Sequence, residues 1–194
     1  MATKREEQKA DTRRRILDVS GRAFRQHGYG GAGVDGLAKA AGVTSGAFYA
    51  HFGSKAQAFD EAVADGMAQL VQGIRYFQTT FGAHWWPEFV RFYLGAKRTC
   101  DLSDACTLQT LPIELARSGD AAKTGFEQAL AQVVATIVEG PPCEGAPRDL
   151  PSAYAALSTL IGAVTLARAV VTPDVGVAIA KAAECALLGS AAGG

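Results

Sequence analysis

Three consecutive arginines, Arg13, Arg14 and Arg15, and a lysine at position 55 flank a stretch of small, hydroxyl and aromatic side chains. Between Val34 and Lys55 the chain reads VDGLAKAAGVTSGAFYAHFGSK. The chemistry of these residues is hydrogen bonding and charge pairing. Thr44 and Ser45 carry hydroxyls, Gly46 and Ala47 leave room for another molecule's backbone to approach, and Tyr49 adds a phenol. Lys55 follows Ser54 at the start of a helical pattern, where free N–H groups and a cation together suit a phosphate. Beside these residues the arginines are read as phosphate contacts rather than as a solvated helix end.

The elements that position these groups follow from spacing. Leu37, Ala38 and Ala41 form the apolar face of one short helix. Gly42 follows directly, where a left-handed residue closes a helix without a Cβ penalty. Val43 is the apolar plug of the turn, and Thr44 or Ser45 can cap a second helix running from Gly46 to Phe52. Phe48 and Phe52, four apart, turn inward together, which leaves Gly46, Tyr49 and Ala50 outward. Ser54-Lys55-Ala56-Gln57 has the pattern of a capping box opening the next helix. This is a helix-turn-helix, a module that lays its second helix in the major groove of DNA.

At these residues the chain resembles the TetR family of bacterial transcriptional repressors. The matches are Thr12-Arg13-Arg14-Arg15-Ile16-Leu17, Ala23-Phe24, Gly28-Tyr29, Val34, Leu37-Ala38, Ala41-Gly42-Val43, Gly46, Phe48-Tyr49, His51-Phe52 and Ser54-Lys55. They cover about 45 residues and are specific as a set. The resemblance implies an all-α protein with an N-terminal three-helix DNA-binding domain over residues 1–55. A C-terminal helical bundle for ligand binding and dimerisation would cover 56–194, with about nine helices in all. It implies a homodimer on a palindromic operator in double-stranded DNA, released by a small-molecule inducer, with Thr44, Ser45, Gly46, Tyr49, His51 and Lys55 on the DNA. Tyr49 and His51 would mainly reach phosphates. One departure is that the run Gly30-Gly31-Ala32-Gly33 stands where the family usually has Thr or Ser just before the first helix of the motif, so the capping hydroxyl is gone. Gly36 inside that helix costs about 1 kcal/mol against Ala.

Composition agrees with a DNA-facing end and a different body. The 194 residues carry no net charge, yet residues 1–55 hold 10 Lys/Arg against 5 Asp/Glu, and residues 56–194 hold 9 against 14. A basic end with an acidic remainder suits nucleic-acid binding. No uncharged apolar run near 18 residues is read, so no membrane span is expected. The charged MATKREEQKAD start has no apolar core of a signal peptide, and a cytoplasmic protein is expected. Four cysteines, Cys100, Cys106, Cys143 and Cys185, are scattered without metal-ligand spacing, and no cofactor or metal is expected. An enzyme is excluded because HExxH, GxSxG and Gly-rich phosphate-loop patterns are missing. A helix-turn-helix that binds a protein instead of DNA is the alternative of another class, disfavoured by the basic N-terminal segment.

The remainder reads as helices throughout. A long helix runs from Lys55 to about Phe77, with Gly66 and Gly73 as bending points. Another is opened by His84-Trp85-Trp86-Pro87, with Pro87 near its first turn, and continues to about Arg98, a third runs from about Ser103 to Arg117 with Pro112 inside it, and a fourth from Asp120 to Val138. A loop covers Gly140 to Pro151. Two helices follow, about Ser152–Val171 and Pro173–Leu188, with Thr172 as N-cap, and the tail GSAAGG should fray. These last two are apolar on nearly every face, so each is to be buried on two sides. A symmetric four-helix interface is assigned to Tyr154, Leu157, Ile161, Val164, Ile179, Ala183 and Leu187; a helix pair enclosed in one large monomer core stays open. Aromatics cluster between residues 76 and 93. A ligand pocket is assigned to Phe77, Trp85, Trp86, Phe89, Phe92, Tyr93, Cys106 and Gln109, with plain core the alternative for any one ring. Cys106 matches a segment that some relatives in the family use to sense electrophiles or oxidants, which makes a redox-sensing repressor a further alternative. Arg98 is the nearby cation for its thiolate, Asp101 and Asp104 oppose it, and Cys100 is the candidate resolving thiol.

Overall fold

The computed structural model describes residues 3–189; the tail beyond Gly189 lies outside them. Among the described residues the chain is helical, without strands. The helices are α1 (Lys4–Gly31), α2 (Val34–Ala40), α3 (Ser45–Phe52), α4 (Lys55–Phe81), α5 (Trp85–Leu94), α6 (Ala96–Thr99), α7 (Thr107–Thr110), α8 (Pro112–Ala116), α9 (Asp120–Val138), α10 (Leu150–Ala169) and α11 (Pro173–Leu188). These are the nine expected helices with two of them divided. Gly95, at φ −95° and ψ −90°, ends α5 and restarts the chain as α6. The expected helix over 103–117 is a 3-10 turn at Leu102–Asp104 followed by α7 and α8. Pro112 cannot donate to the preceding turn, so it opens α8 instead of bending a longer helix.

The chain forms two compact units. One comprises residues 1–66 and 101–126, the other 67–100 and 127–194. The unit holding α2 and α3 is therefore discontinuous in sequence, and it includes the segment with α7 and α8.

In the first unit Ile16, Phe24, Leu37, Phe48, Phe52 and Phe59 are buried together with Ala38 and Ala58. α1 reaches the 101–104 segment with three side chains. Arg22 pairs with Asp104, Arg25 Nε donates to Ser103 O at 2.8 Å, and Ser103 N–H donates to Gln26 Oε1 at 3.0 Å. Burial, then the charge of Arg22, pushes the Arg25 guanidinium down from its ordinary range. Gly28, at φ +70°, kinks α1 near its end, a conformation a side chain would resist.

In the second unit Trp85 and Trp86 are fully buried. Trp85 Nε1 donates to Pro141 O at 3.2 Å, and Arg148 donates to the carbonyls of Gly140, Pro141 and Cys143, which orders the loop between α9 and α10. α10 starts two residues earlier than expected because Asp149 and Ser152 form a capping box. α10 and α11 pack as an antiparallel pair, and Gly176 comes close under Ala167 O, where a Cβ would stand at 3.2 Å. Thr172 takes the N-cap position of α11 but makes no side-chain capping bond. α10 also corrects the sequence reading of membrane spans. Its 20 residues carry a charge only at Arg168, which makes it long and apolar enough to cross a bilayer. Core helices meet the same test, and seven of its residues are buried.

Candidate nucleic-acid interface

The geometry of α2, the turn and α3 is built by local bonds. α2 ends in a Schellman motif: Gly42 at φ +66° donates to Lys39 O at 3.1 Å, and Val43 N–H to Ala38 O at 2.9 Å. Arg15 Nε reaches across from α1 to Ala41 O at 2.8 Å, so another exposed carbonyl of the turn is satisfied. Thr44 is the N-cap of α3, accepting from Ala47 N–H at 3.1 Å. Gly33 caps α2 without any side-chain bond, as the missing hydroxyl implies. Phe48 and Phe52 are buried with ring centroids 5.7 Å apart, which anchors the inner side of α3.

The outer side of α3 is consequently open. Gly46 and Ala50 are exposed and Tyr49 is 49% exposed. Ser45 donates to Asp35 Oδ1 at 2.5 Å, which ties the start of α3 to the first turn of α2. Sequence reasoning did not anticipate this bond. It occupies the Ser45 hydroxyl hydrogen and leaves lone pairs for an incoming donor. His51, in the last turn of α3, has its Nδ1 buried without a partner among the described residues. Burial first, then the charges of Lys9 and Arg13, hold its imidazole below the ordinary histidine value. Lys55 Nζ sits 4.3 Å from the centroid of the Tyr29 ring, which steadies it at the start of α4. The expected capping box there is half formed. Ser54 Oγ accepts from Gln57 N–H at 3.0 Å, while the Gln57 amide turns to Glu61 at 3.1 Å.

Two of the cations assigned to phosphate are engaged within the unit. Arg13 makes a two-oxygen contact with Glu61, 2.8 and 2.6 Å, and lies 4.5 Å over the Phe52 ring. Arg14 pairs with Asp65 at 2.6 Å and with Asp18 at 2.9 Å. Asp18 stands four residues after Arg14, a pairing that helical spacing offers, whereas Glu61 and Asp65 come from α4, and long-range pairing of this kind has no signature in spacing alone. Thr44, Ser45, Gly46, Tyr49, His51 and Lys55 are brought together on α3 and the adjoining ends, with Arg13 beside them.

The residues assigned to a ligand pocket divide between the units. Phe77, Trp85, Trp86, Phe89, Phe92 and Tyr93 lie in the second and form one aromatic network. Phe77 meets Phe89 at 5.7 Å and Phe92 at 5.2 Å, Trp86 meets Phe89 at 6.0 Å, and Phe89 meets Tyr93 at 5.9 Å. Trp86 Nε1 is buried without an acceptor among the described residues. Cys106 and Gln109 belong to the first unit, with Cys106 buried at the start of α7. Arg98 belongs to the second unit and donates to Leu94 O at 2.9 Å. Arg25 of α1 lies near Cys106 within the first unit. Cys100 has Arg168 Nη2 3.3 Å from its sulfur. All four cysteines are free thiols.

The residues assigned to dimerisation are likewise split. Leu157, Val164 and Ala183 are buried, Tyr154 is 43% exposed, and Ile161, Ile179 and Leu187 are half-buried. The open side of α10 is Tyr154, Ala155, Ser158, Thr165 and Leu166, and that of α11 is Val175, Ala178, Ala182 and Cys185. Leu166, 60% exposed, is not among the residues assigned to the interface. On a helix that is apolar all round, periodicity cannot say which stripe faces inward.

Comparison with known proteins places this arrangement. Residues 16–62 match the model of the bacterial regulatory proteins of the tetR family. A 61-residue stretch is 46% identical to the HTH-type transcriptional regulator AcrR of Shigella flexneri, covering 31% of this chain and 28% of that relative's length. Over nearly the whole chain the fold is similar to two solved structures. One is Escherichia coli NemR in its reduced form, with a TM-score of 0.73 and 18% identity over 91% of this chain and 95% of that one. The other is a TetR-family regulator from Cytophaga hutchinsonii, at 0.75 and 17% over 94% and 96%.

Proposed function

We infer that this chain, which belongs to the tetR family of bacterial regulatory proteins, regulates transcription by binding DNA through α2 and α3. α3 enters the major groove with Gly46 and Tyr49 toward the DNA. Thr44, Ser45, His51 and Lys55 stand around it for phosphates and base edges. The observation that carries this reading is the open outer side of α3 on a rigidly capped turn. The N-terminal domain, assigned to residues 1–55, reads DNA, and residues 56–194 sense and dimerise. The exposed apolar sides of α10 and α11 pair two copies about a two-fold axis, which suits a palindromic operator and repression. A small-molecule inducer is received by the aromatic network around Phe77 and Phe89. The unpaired Trp86 N–H supports a ligand that carries a hydrogen-bond acceptor. The ligand acts by its differential affinity for the DNA-competent state and the other state.

The test is a gel shift of the purified protein against the DNA flanking its own gene, at two salt concentrations. A specific shift that weakens at the higher salt is expected. Failure to shift that DNA or a random-fragment pool overturns the reading and favours a helix-turn-helix that binds protein. A redox-sensing repressor acting through Cys106 is a second reading, supported by the Arg25 charge near that thiol and by its membership of the unit that holds α2 and α3. Loss of the shift on oxidation of the wild type but not of Cys106→Ser would bear it out.

A further inference from the structure

We propose that Arg98 and Arg168, beside the start of α11, form a binding site for a small oxyanion, the carboxylate or phosphate group of a ligand. The site lies in the second unit, on other elements than the aromatic network, and does not rest on the DNA-binding reading.

Both arginines are half-buried, and neither has a carboxylate partner among the described residues. Their bonds go to neutral groups. Arg98 Nε donates to Leu94 O at 2.9 Å, and Arg168 Nη2 donates to Lys97 O at 2.7 Å and stands 3.3 Å from the Cys100 sulfur. Arg168 Nε is buried without an acceptor among the described residues. Charge withdrawn from water is normally met by an opposite charge, and a buried donor by an acceptor. The nearby carboxylates do not supply either. Glu88 and Glu184 pair with Arg91, Asp149 caps α10, and Asp174 of the first turn of α11 forms no ion pair with either arginine.

The two guanidinium groups meet at one corner. Arg168 stands in the last turn of α10, and its bond to Lys97 O places it on the peptide that leads into Arg98. A Cβ built on Gly176 would stand 3.2 Å from Ala167 O and 3.6 Å from Arg98 Nη1. Arg98 therefore reaches the first turns of α11 next to the residue that precedes Arg168. α11 adds the positive end of a 16-residue helix, and the Thr172 hydroxyl does not occupy its first N–H groups. Planar guanidinium forks match the paired oxygens of a carboxylate or phosphate. A cation would be repelled here, and an apolar group would leave the charges and the Arg168 Nε–H unmet.

Cys100 reports on the site, because an anion seated on Arg168 Nη2 crowds its sulfur. The full chain is alkylated at one pH with iodoacetate and with iodoacetamide, and Cys100 is followed by peptide mass spectrometry. With either reagent the thiolate displaces iodide: an S–C bond replaces the C–I bond and the thiol proton goes to solvent. The reagents differ in charge, and 2-mercaptoethanol supplies the ratio of their rates without a protein around the thiol. The iodoacetate-to-iodoacetamide ratio should be about fivefold or more higher at Cys100, the scale of a unit charge a few ångströms away in partly solvated surroundings. It should return towards the reference in Arg168→Gln and Arg98→Gln, each verified by circular dichroism to be folded. Inorganic phosphate or acetate, titrated at constant ionic strength against sodium chloride, should slow the iodoacetate reaction along a saturation curve. Saturation by phosphate alone identifies a phosphate group, and by acetate alone a carboxylate. A wild-type ratio equal to that of 2-mercaptoethanol overturns the proposal without recourse to any variant. Protection no greater than that given by chloride also overturns it, since the corner would then hold no oxyanion. So does a raised ratio that persists in both folded variants, which would place the positive charge elsewhere.

Discussion

Thr107 packs against Gly66 so closely that a Cβ built on Gly66 would overlap the Thr107 hydroxyl and stand 2.8 Å from Thr107 Cβ. Thr107 is 3% exposed and its Oγ1 has no hydrogen-bond partner among the described residues. Gly66 is therefore explained by the close approach of α7 to α4. The sequence reading of it as a bending point is not needed, since α4 runs unbroken through it. Gly66→Ala should destabilise the protein by about 1–3 kcal/mol, the usual cost of forcing atoms into a packed site. Adding Thr107→Ala should relieve part of that loss by removing the hydroxyl and leaving the Cβ. Urea unfolding of the two single variants and the double variant measures it, and strictly additive losses would mean that the two residues do not meet.

Tyr49→Ala should weaken operator binding about tenfold, the scale of one hydrogen bond to a charged group, and leave the melting temperature near wild type. Tyr49 is half exposed, and its ring meets Phe48 only edge-on at 5.7 Å. Anisotropy and thermal melts of the same preparation check both halves. A variant that binds as wild type does would remove α3's outer side from the interface.

An exposed and a buried leucine of α10 predict opposite failures. Leu166→Asp places a charge on an exposed position and should convert a dimer to a folded monomer. Leu157→Asp, at a position 4% exposed, should instead lose the fold, because an unpaired carboxylate in the core costs several kcal/mol. Light scattering with circular dichroism separates the outcomes. A Leu166→Asp protein that stays dimeric would move the interface away from this side of α10.

His51 sets a pH dependence. Burial, with Lys9 and Arg13 adding to it, holds the imidazole below 6.5 in the folded chain. Between that lowered value and 6.5 the unfolded chain binds more protons than the folded one. Stability therefore rises with pH through this window and falls on acidification. His51→Gln should remove that part of the slope in urea midpoints taken between pH 5 and 7.5. A phosphate at the ring favours the imidazolium, so DNA binding should take up a proton and tighten as pH falls through the same window. Binding that is flat in wild type across it would take His51 off the phosphate.

The helix-turn-helix was legible in the sequence because every feature of it is local. A left-handed glycine after Ala41, a hydroxyl at Thr44 and the Phe48–Phe52 spacing each act within one or two turns, and α9 and α11 have the bounds that their Gly, Pro and Asp punctuation implies. The sequence by itself thus determined the helical class, the motif and the outward side of α3. Tertiary structure alone decided that Glu61 engages Arg13 and that Asp65 engages Arg14. It also decided that residues 101–126 join the unit of α2 and α3, that Arg25 stands near Cys106, and that Leu157 lies inward while Leu166 lies outward. The physical reason is one of range. Caps and turns are chosen by neighbours in sequence, whereas ion pairs between distant helices and the burial of a helix apolar on all sides depend on what the rest of the chain brings against them.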